Sequence, residues 1–204
     1  MGWYNDRIVP RALDLLLGNE KMGPLRSRAM EGMSGTVVEL GFGSGTNVPY
    51  YPEGVEKVFA IEPSGGAKQL ASKRLAASTV PVEFVGLDGA SIPLEDASAD
   101  NALSTWTLCT IPDLATALEE VARVLKPGGR LFFLEHGLSD DPKVSTRQHR
   151  FNGLQQRIGG GCHLTRDHRA LIEASPLRIE KVANFAITGP KTMSYMYAGT
   201  AIRD

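Results

Sequence analysis

The chain reads as an α/β fold built on a parallel sheet, and three observations predict it. Apolar runs rich in β-branched residues recur along the chain, helical patterns alternate with them, and the first run stops in three glycines at every second position. That stop is Val37-Val38-Glu39-Leu40-Gly41-Phe42-Gly43-Ser44-Gly45-Thr46-Asn47. A strand over Thr36–Leu40, buried on both faces, runs into glycines that let the backbone turn sharply and approach a ligand, and a helix is expected just after. The pattern is that of a nucleotide-binding turn. Its spacing is GxGxG, with Thr46 where a dinucleotide fingerprint places its third glycine, which points away from a pyrophosphate-bearing cofactor.

The elements follow in order. Ile8–Leu17 repeats apolar residues at helical spacing (Ile8, Ala12, Leu15, Leu16), Leu25–Met33 does so more loosely, and Gly23-Pro24 breaks between them. After the glycine turn, Val55–Ile61 is a second strand. It ends in Glu62, about 20 residues past the first glycine, where a carboxylate accepting two hydroxyl protons grips a ribose. Ser64 caps a helix reaching Leu75, and Val82–Gly86 forms a third strand behind Pro81. Asp100–Thr105 is a fourth strand, Pro112-Asp113 opens a helix to Leu125, and Lys126-Pro127-Gly128-Gly129 ends it before the strand Arg130–Glu135. Polar, basic residues 138–161 interrupt the alternation. A helix over Thr165–Ala174 and two strands, Arg178–Thr188 and Lys191–Ile202, complete the chain.

With 204 residues, 42% hydrophobic and 22% charged, one domain is expected. It divides into a helical cap (1–34), a cofactor-binding core (35–137), a lid insert (138–166) and a C-terminal helix with strands (167–204). A net charge of −1 without basic runs disfavours nucleic acid as a partner. Cys109 and Cys162 stand far apart, and Cys162-His163 offers too few donors, so no disulfide framework and no metal site is expected. No window reaches the length of a spanning helix, and the polar stretch Met1–Asp6 lacks the features of a signal peptide, so the cytoplasm is the expected compartment. Peripheral membrane contact is left open by the amphipathic Ile8–Leu17 segment and by Arg147, Arg150, Arg157 and Arg166 in the insert. Oligomeric state is not readable.

Four motifs, in order and spacing, resemble the class I methyltransferases that use S-adenosylmethionine: residues 37–45, Ala60-Ile61-Glu62-Pro63-Ser64, Leu87-Asp88-Gly89 and Leu125-Lys126-Pro127-Gly128-Gly129-Arg130-Leu131. The resemblance implies a Rossmann-like, doubly wound sheet of seven strands, mostly parallel, with an antiparallel last strand. It implies S-adenosylmethionine as cofactor and S-adenosylhomocysteine as product. The glycine loop would face the methionine part, Glu62 the ribose and Asp88 the adenine, with Pro63 and Leu87 as apolar surface. The expected cofactor shell is Glu39, Gly41, Phe42, Gly43, Ser44, Gly45, Asn47, Glu62, Pro63, Leu87, Asp88, Gly89, Thr105 and Trp106. Residues 102–111, Glu135-His136, and Leu154-Gln155-Gln156 running into residues 161–166 are similar to the branch holding animal alkyl-thiol S-methyltransferases and their bacterial relatives. The polar start of this chain departs from the hydrophobic anchor of the animal members.

The resemblance makes a small molecule the acceptor, with a thiol first. A thiol with a pKa near 8.5 is already a few per cent thiolate at neutral pH, whereas a phenol near 10 or an ammonium gains more from a base. Phenols, quinols, amines and phospholipid headgroups follow, and NAD-dependent oxidoreduction is the enzymatic rival. Of four histidines, His136 is the candidate base, because it directly follows the fifth strand and ligands in open parallel sheets bind beyond the strands' carboxyl ends. His149 and His163 fall in or beside the lid, and His168 in the helix after it. Trp3, Tyr4, Phe151 and Leu154 are expected as walls of the acceptor pocket.

Overall fold

A computed structural model describes residues 2–204; Met1 of the polar N-terminal stretch lies outside them. Its centre is one seven-stranded sheet in the order β3-β2-β1-β4-β5-β7-β6. The strands are β1 (Gly35–Leu40), β2 (Val55–Ile61), β3 (Val82–Gly86), β4 (Ala99–Thr105), β5 (Leu125–His136), β6 (Leu177–Ala186) and β7 (Tyr195–Arg203). β1 pairs in parallel with β2 and β4, and β4 with β5, while β7 runs antiparallel between β5 and β6. The mostly parallel sheet with an antiparallel last strand is therefore present as expected.

The period-two alternation of the central strands sends apolar side chains to both faces. Val38, Leu40, Leu131 and Phe133 pack with Leu114, Ala117, Leu118 and Val121 of α5 (Leu114–Val124). On the opposite face Val37, Val58, Leu103 and Phe132 meet Met30 and Met33, which follow α3 (Gly23–Ala29). Beside them Ala60 and Phe42 pack on Ala71 of α4 (Gly65–Ala76). Full burial of such side chains contributes about 1.5–3 kcal/mol each, which makes the sheet the fixed frame of the molecule.

Several segments differ from the sequence reading. No α-helix follows the glycine turn; Val48–Tyr50 makes only a 3₁₀ turn, because Pro52 lacks the N–H that the next helical turn needs. Gly23-Pro24 starts α3 instead of breaking a helix, with Pro24 in the first turn, where its missing N–H costs nothing. The N-terminal segment forms α1 (Trp3–Arg7) and α2 (Val9–Leu17), separated at Ile8. Lys126–Gly129 does not simply precede β5: Leu125 already pairs with Ala99 and Arg130 with Asn101, so the four residues bulge within the paired strand, Gly128 at φ +80°.

The polar insert contains the longest helix, α6 (Pro142–Ile158), capped by Asp141 accepting from the Lys143 N–H. Only Val144 and Gln148 of α6 are buried, so it carries almost no apolar periodicity. Gln148 anchors it by accepting from Ser139 N and donating to the Gly137 and Thr192 carbonyls. The next helix is shorter than expected, α7 (His168–Glu173), because Asp167 caps it by accepting from Ala170 N. No described helix is long and apolar enough to cross a membrane.

Candidate active site

The carboxyl ends of β1, β2 and β4 open onto a cavity of about 510 Å³, within the range of cofactor sites. It lies beside the β1–β4 junction, where the strand order reverses after running β1 to β2 to β3, the switch point at which doubly wound sheets bind ligands. The glycine turn forms its floor. Gly41 has φ +65°, and a Cβ there would stand 2.1 Å from Thr107 Oγ1, so the position excludes every other residue. Gly43, at φ +60°, also lines the cavity, and its N–H donates to Glu62 Oε2 at 2.7 Å. Glu62 Oε1 accepts from Ser64 N at 2.8 Å. One carboxylate therefore locks the end of β2 to the glycine turn of β1. Burial raises the Glu62 pKa, against the two backbone donors that lower it.

Beneath the floor is a buried polar network. Glu39 accepts from Asn47 Nδ2 at 2.7 Å and from the Tyr51 hydroxyl. Arg26 donates to Asn47 Oδ1 at 2.5 Å and to Thr105 Oγ1 at 3.1 Å, and Asn47 Nδ2 also reaches Thr105 Oγ1 at 2.9 Å. Burial pushes Glu39 up to about 7 and draws Arg26 down to about 10. The Arg26 guanidinium sits 4.8 Å from the ring centre of Trp106, a cation–π contact. Trp106 itself holds φ +53°, a conformation that costs a bulky residue about 1–3 kcal/mol and is retained where the surroundings over-determine it.

The N-terminal helices close the cavity from above. Asp6 of α1 accepts from Ser64 Oγ at 2.9 Å and Gly66 N at 3.1 Å, joining α1 to the start of α4. Asp14 of α2 accepts from Ser44 Oγ and from Arg74, both at 2.7 Å. Val9, Leu13 and Leu17 of α2 face the cavity, and Gln156 with Gly159–Gly161 forms the opposing wall.

Most of the expected shell is brought together here. Gly41, Phe42, Gly43 and Ser44 line the cavity, as do Glu62 and Pro63, Leu87, Asp88 and Gly89, and Thr105 and Trp106. Glu39, Asn47 and Gly45 do not: Glu39 and Asn47 belong to the network beneath, and Gly45 packs so that a Cβ would lie 3.2 Å from Phe42. His136 is not on the cavity wall either; it is buried, with Nε2 3.0 Å from Cys162 Sγ. The neighbouring Cys109 thiol and the His136 contact hold the Cys162 thiol below the usual thiol range, while Cys109 is pushed up. His149 is exposed on α6, His163 Nδ1 meets Gln156 Nε2 at 2.8 Å, and His168 Nε2 lies 3.0 Å from the His136 carbonyl.

The expected acceptor walls are corrected. Trp3, Phe151 and Leu154 are exposed, and the Tyr4 hydroxyl bonds the Ile158 carbonyl instead of lining the cavity. Arg166 is no free cation, because its guanidinium donates to the carbonyls of Leu108 and Ile111. Arg26 and α2's inner face carry no motif that marks them in the sequence. The stripe Val9, Leu13 and Leu17, offset by one from Ile8 and Ala12, is the sequence signal for that face.

A family model described as a methyltransferase domain matches residues 38–133. The thiol S-methyltransferase TMT1B of Rattus norvegicus is 37% identical over 138 residues, 65% of this chain and 55% of that protein. Human thiol S-methyltransferase TMT1A is 32% identical over 186 residues, 84% of this chain and 70% of that protein. The chain spans only 55–59% of the length of the rat, mouse and human TMT1B proteins. A SAM-dependent methyltransferase from Aquifex aeolicus shares the fold, with TM-score 0.66 at 18% identity over 96% of this chain and 98% of that one. Identity of this extent to human TMT1A, carried on this sheet, places the chain among the class I S-adenosylmethionine-dependent methyltransferases.

Proposed function

We propose that this protein transfers a methyl group from S-adenosylmethionine to the sulfur of a small thiol. The observation that carries the cofactor half is Glu62, a buried carboxylate fixed between Gly43 and Ser64 at the cavity floor, with Asp88 on the same wall one strand further out. Glu62 is the acceptor for ribose hydroxyls, Asp88 the acceptor for the adenine amine, and the Gly41–Gly43 turn the close approach for the amino-acid tail. The thiol half rests on the relatives named thiol S-methyltransferases.

The cofactor brings an electrophilic sulfonium methyl, so the chain's work is to position an acceptor and exclude water. α2 and the Gly159–Gly161 turn serve as the acceptor walls, with α6 as the lid that carries the turn. A thiol supplies its own thiolate fraction, so the reaction does not depend on a base at the cavity wall. His136 fits that reading, since it lies off the cavity wall with its Nε2 against the Cys162 thiol at 3.0 Å. Free Cys109 and Cys162 suit a reducing compartment, and we place the protein in the cytoplasm.

One observation favours a second reading, contact with a lipid surface. Trp3, Ile8, Leu15 and Leu16 give the helical cap an exposed apolar outer face. Co-sedimentation with anionic vesicles tests it. For the main reading, thermal-shift titration separates S-adenosylmethionine from nicotinamide cofactors, and methyl-label transfer across thiols, phenols, amines and phospholipids identifies the acceptor. Stabilisation by a nicotinamide cofactor alone, or label confined to a non-thiol, overturns it.

A further inference from the structure

Behind the Gly159–Gly161 wall, three residues far apart in the chain converge. Cys109 follows β4, His136 ends β5 and Cys162 follows α6, and one donor atom from each lies within 4.8 Å of the other two. All three residues are buried. Two hydrogen bonds hold the approach: His163 N donates to the Cys109 carbonyl at 2.8 Å, and the His168 side chain Nε2 lies 3.0 Å from the His136 carbonyl. β5 is itself held between β4 and β7. Each donor is thus presented by a different fixed element, as a ligand set requires.

The chemistry of the set is specific. Both ring nitrogens of His136 find only sulfur, Cys162 Sγ at 3.0 Å from Nε2 and 4.0 Å from Nδ1, where a structural buried imidazole takes a carbonyl or carboxylate. Zinc bonds sulfur at about 2.3 Å and nitrogen at about 2.0–2.1 Å, so donors around one tetrahedral ion stand roughly 3.5–4 Å apart. The 4.8 Å envelope encloses that arrangement with a small adjustment of side-chain torsions. Two thiolates and a neutral imidazole also cancel a divalent charge, which removes the cost of burying it.

We propose that Cys109, Cys162 and His136 bind one thiophilic divalent cation of the zinc class, with a fourth coordination position left for a non-protein ligand. The neighbours Thr110 and Gly161 line the cavity, so the cation sits one residue behind its wall and ties the loop after β4 to the segment after α6. The site joins the sheet to the lid and is independent of which acceptor the cavity takes.

The test is metal content and spectroscopy of the full chain, purified with reductant and without chelator. About one equivalent of zinc per chain is expected. After chelation, Co²⁺ should restore thiolate-to-metal charge-transfer bands and the intense visible bands of a tetrahedral site. Cys109→Ser and Cys162→Ser should lose both the zinc and the bands, and His136→Ala should weaken Co²⁺ binding by at least tenfold, with S-adenosylmethionine binding reporting whether each variant is folded. The wild-type measurements do not depend on the variants. Metal at background together with no Co²⁺–thiolate bands in the reduced wild-type chain, or a Cys109–Cys162 disulfide in its place, would overturn the assignment.

Discussion

The two halves of the cavity are built differently. The half proposed for the cofactor lies on the ends of β1, β2 and β4, where Gly41 has no room for a side chain and Glu62 is bonded to two backbone N–H groups. The half proposed for the acceptor is made of α2 and the turn after α6, and the outer faces of α2 and α6 are exposed. Sheet-edge geometry is fixed by ladders on both sides, whereas these helices are held by a few polar contacts such as Asp14 with Ser44 and Arg74. One half is therefore shaped by backbone ladders, and the α2 wall of the other by side-chain contacts on a helix outside the sheet.

The largest effect expected from breaking the rigid half is Gly41→Val. A side chain at positive φ against Thr107 should cost about 2–5 kcal/mol in urea denaturation and abolish cofactor binding. Next comes pH. Glu39 has its folded pKa raised from 4.5 to about 7 by burial, so its contribution is fully present below pH 4.5 and lost as pH rises through 7. At about 1.36 kcal/mol per unit, roughly 2–3 kcal/mol should disappear between pH 5 and pH 8. Glu39→Gln should flatten that difference, and an unchanged pH dependence would contradict it.

Glu62→Gln comes third. An amide has one acceptor oxygen in place of two, so one of the Gly43 and Ser64 N–H bonds is lost, and S-adenosylmethionine affinity should fall roughly 10–100-fold by calorimetry. The smallest effect sharpens the comparison most. Leu13→Ala on α2 should shift the acceptor KM by less than about tenfold, the scale of a partial apolar truncation, and leave cofactor affinity unchanged. A comparable loss of cofactor affinity in Leu13→Ala would erase the distinction between the halves.

The rigid half was also the legible half. Glu62 and Asp88 fall just past strand ends, and in a parallel sheet those ends share one edge, so chain position alone places them together. The helix over α6 was hidden because its sequence is polar almost throughout. α2 was recognised as a helix but not by its working face, since Ile8, Ala12, Leu15 and Leu16 are as apolar as Val9, Leu13 and Leu17. Arg26 is one arginine in a basic helix until the fold buries it against Asn47 and Thr105. No periodicity links Cys109, His136 and Cys162; only the return of the chain after α6 brings them within reach.

Methyl transfer to a thiol is most directly tested by a competition assay, in which labelled S-adenosylmethionine is offered with equal concentrations of a short alkyl thiol, a phenol, an amine and a phosphatidylethanolamine vesicle. S-methyl product is expected in large excess over all others, and is abolished in Glu62→Gln at cofactor concentrations that saturate only the wild type. Label on a non-thiol acceptor in excess over the thiol, or no transfer to any of the four from a chain that binds the cofactor, would contradict it.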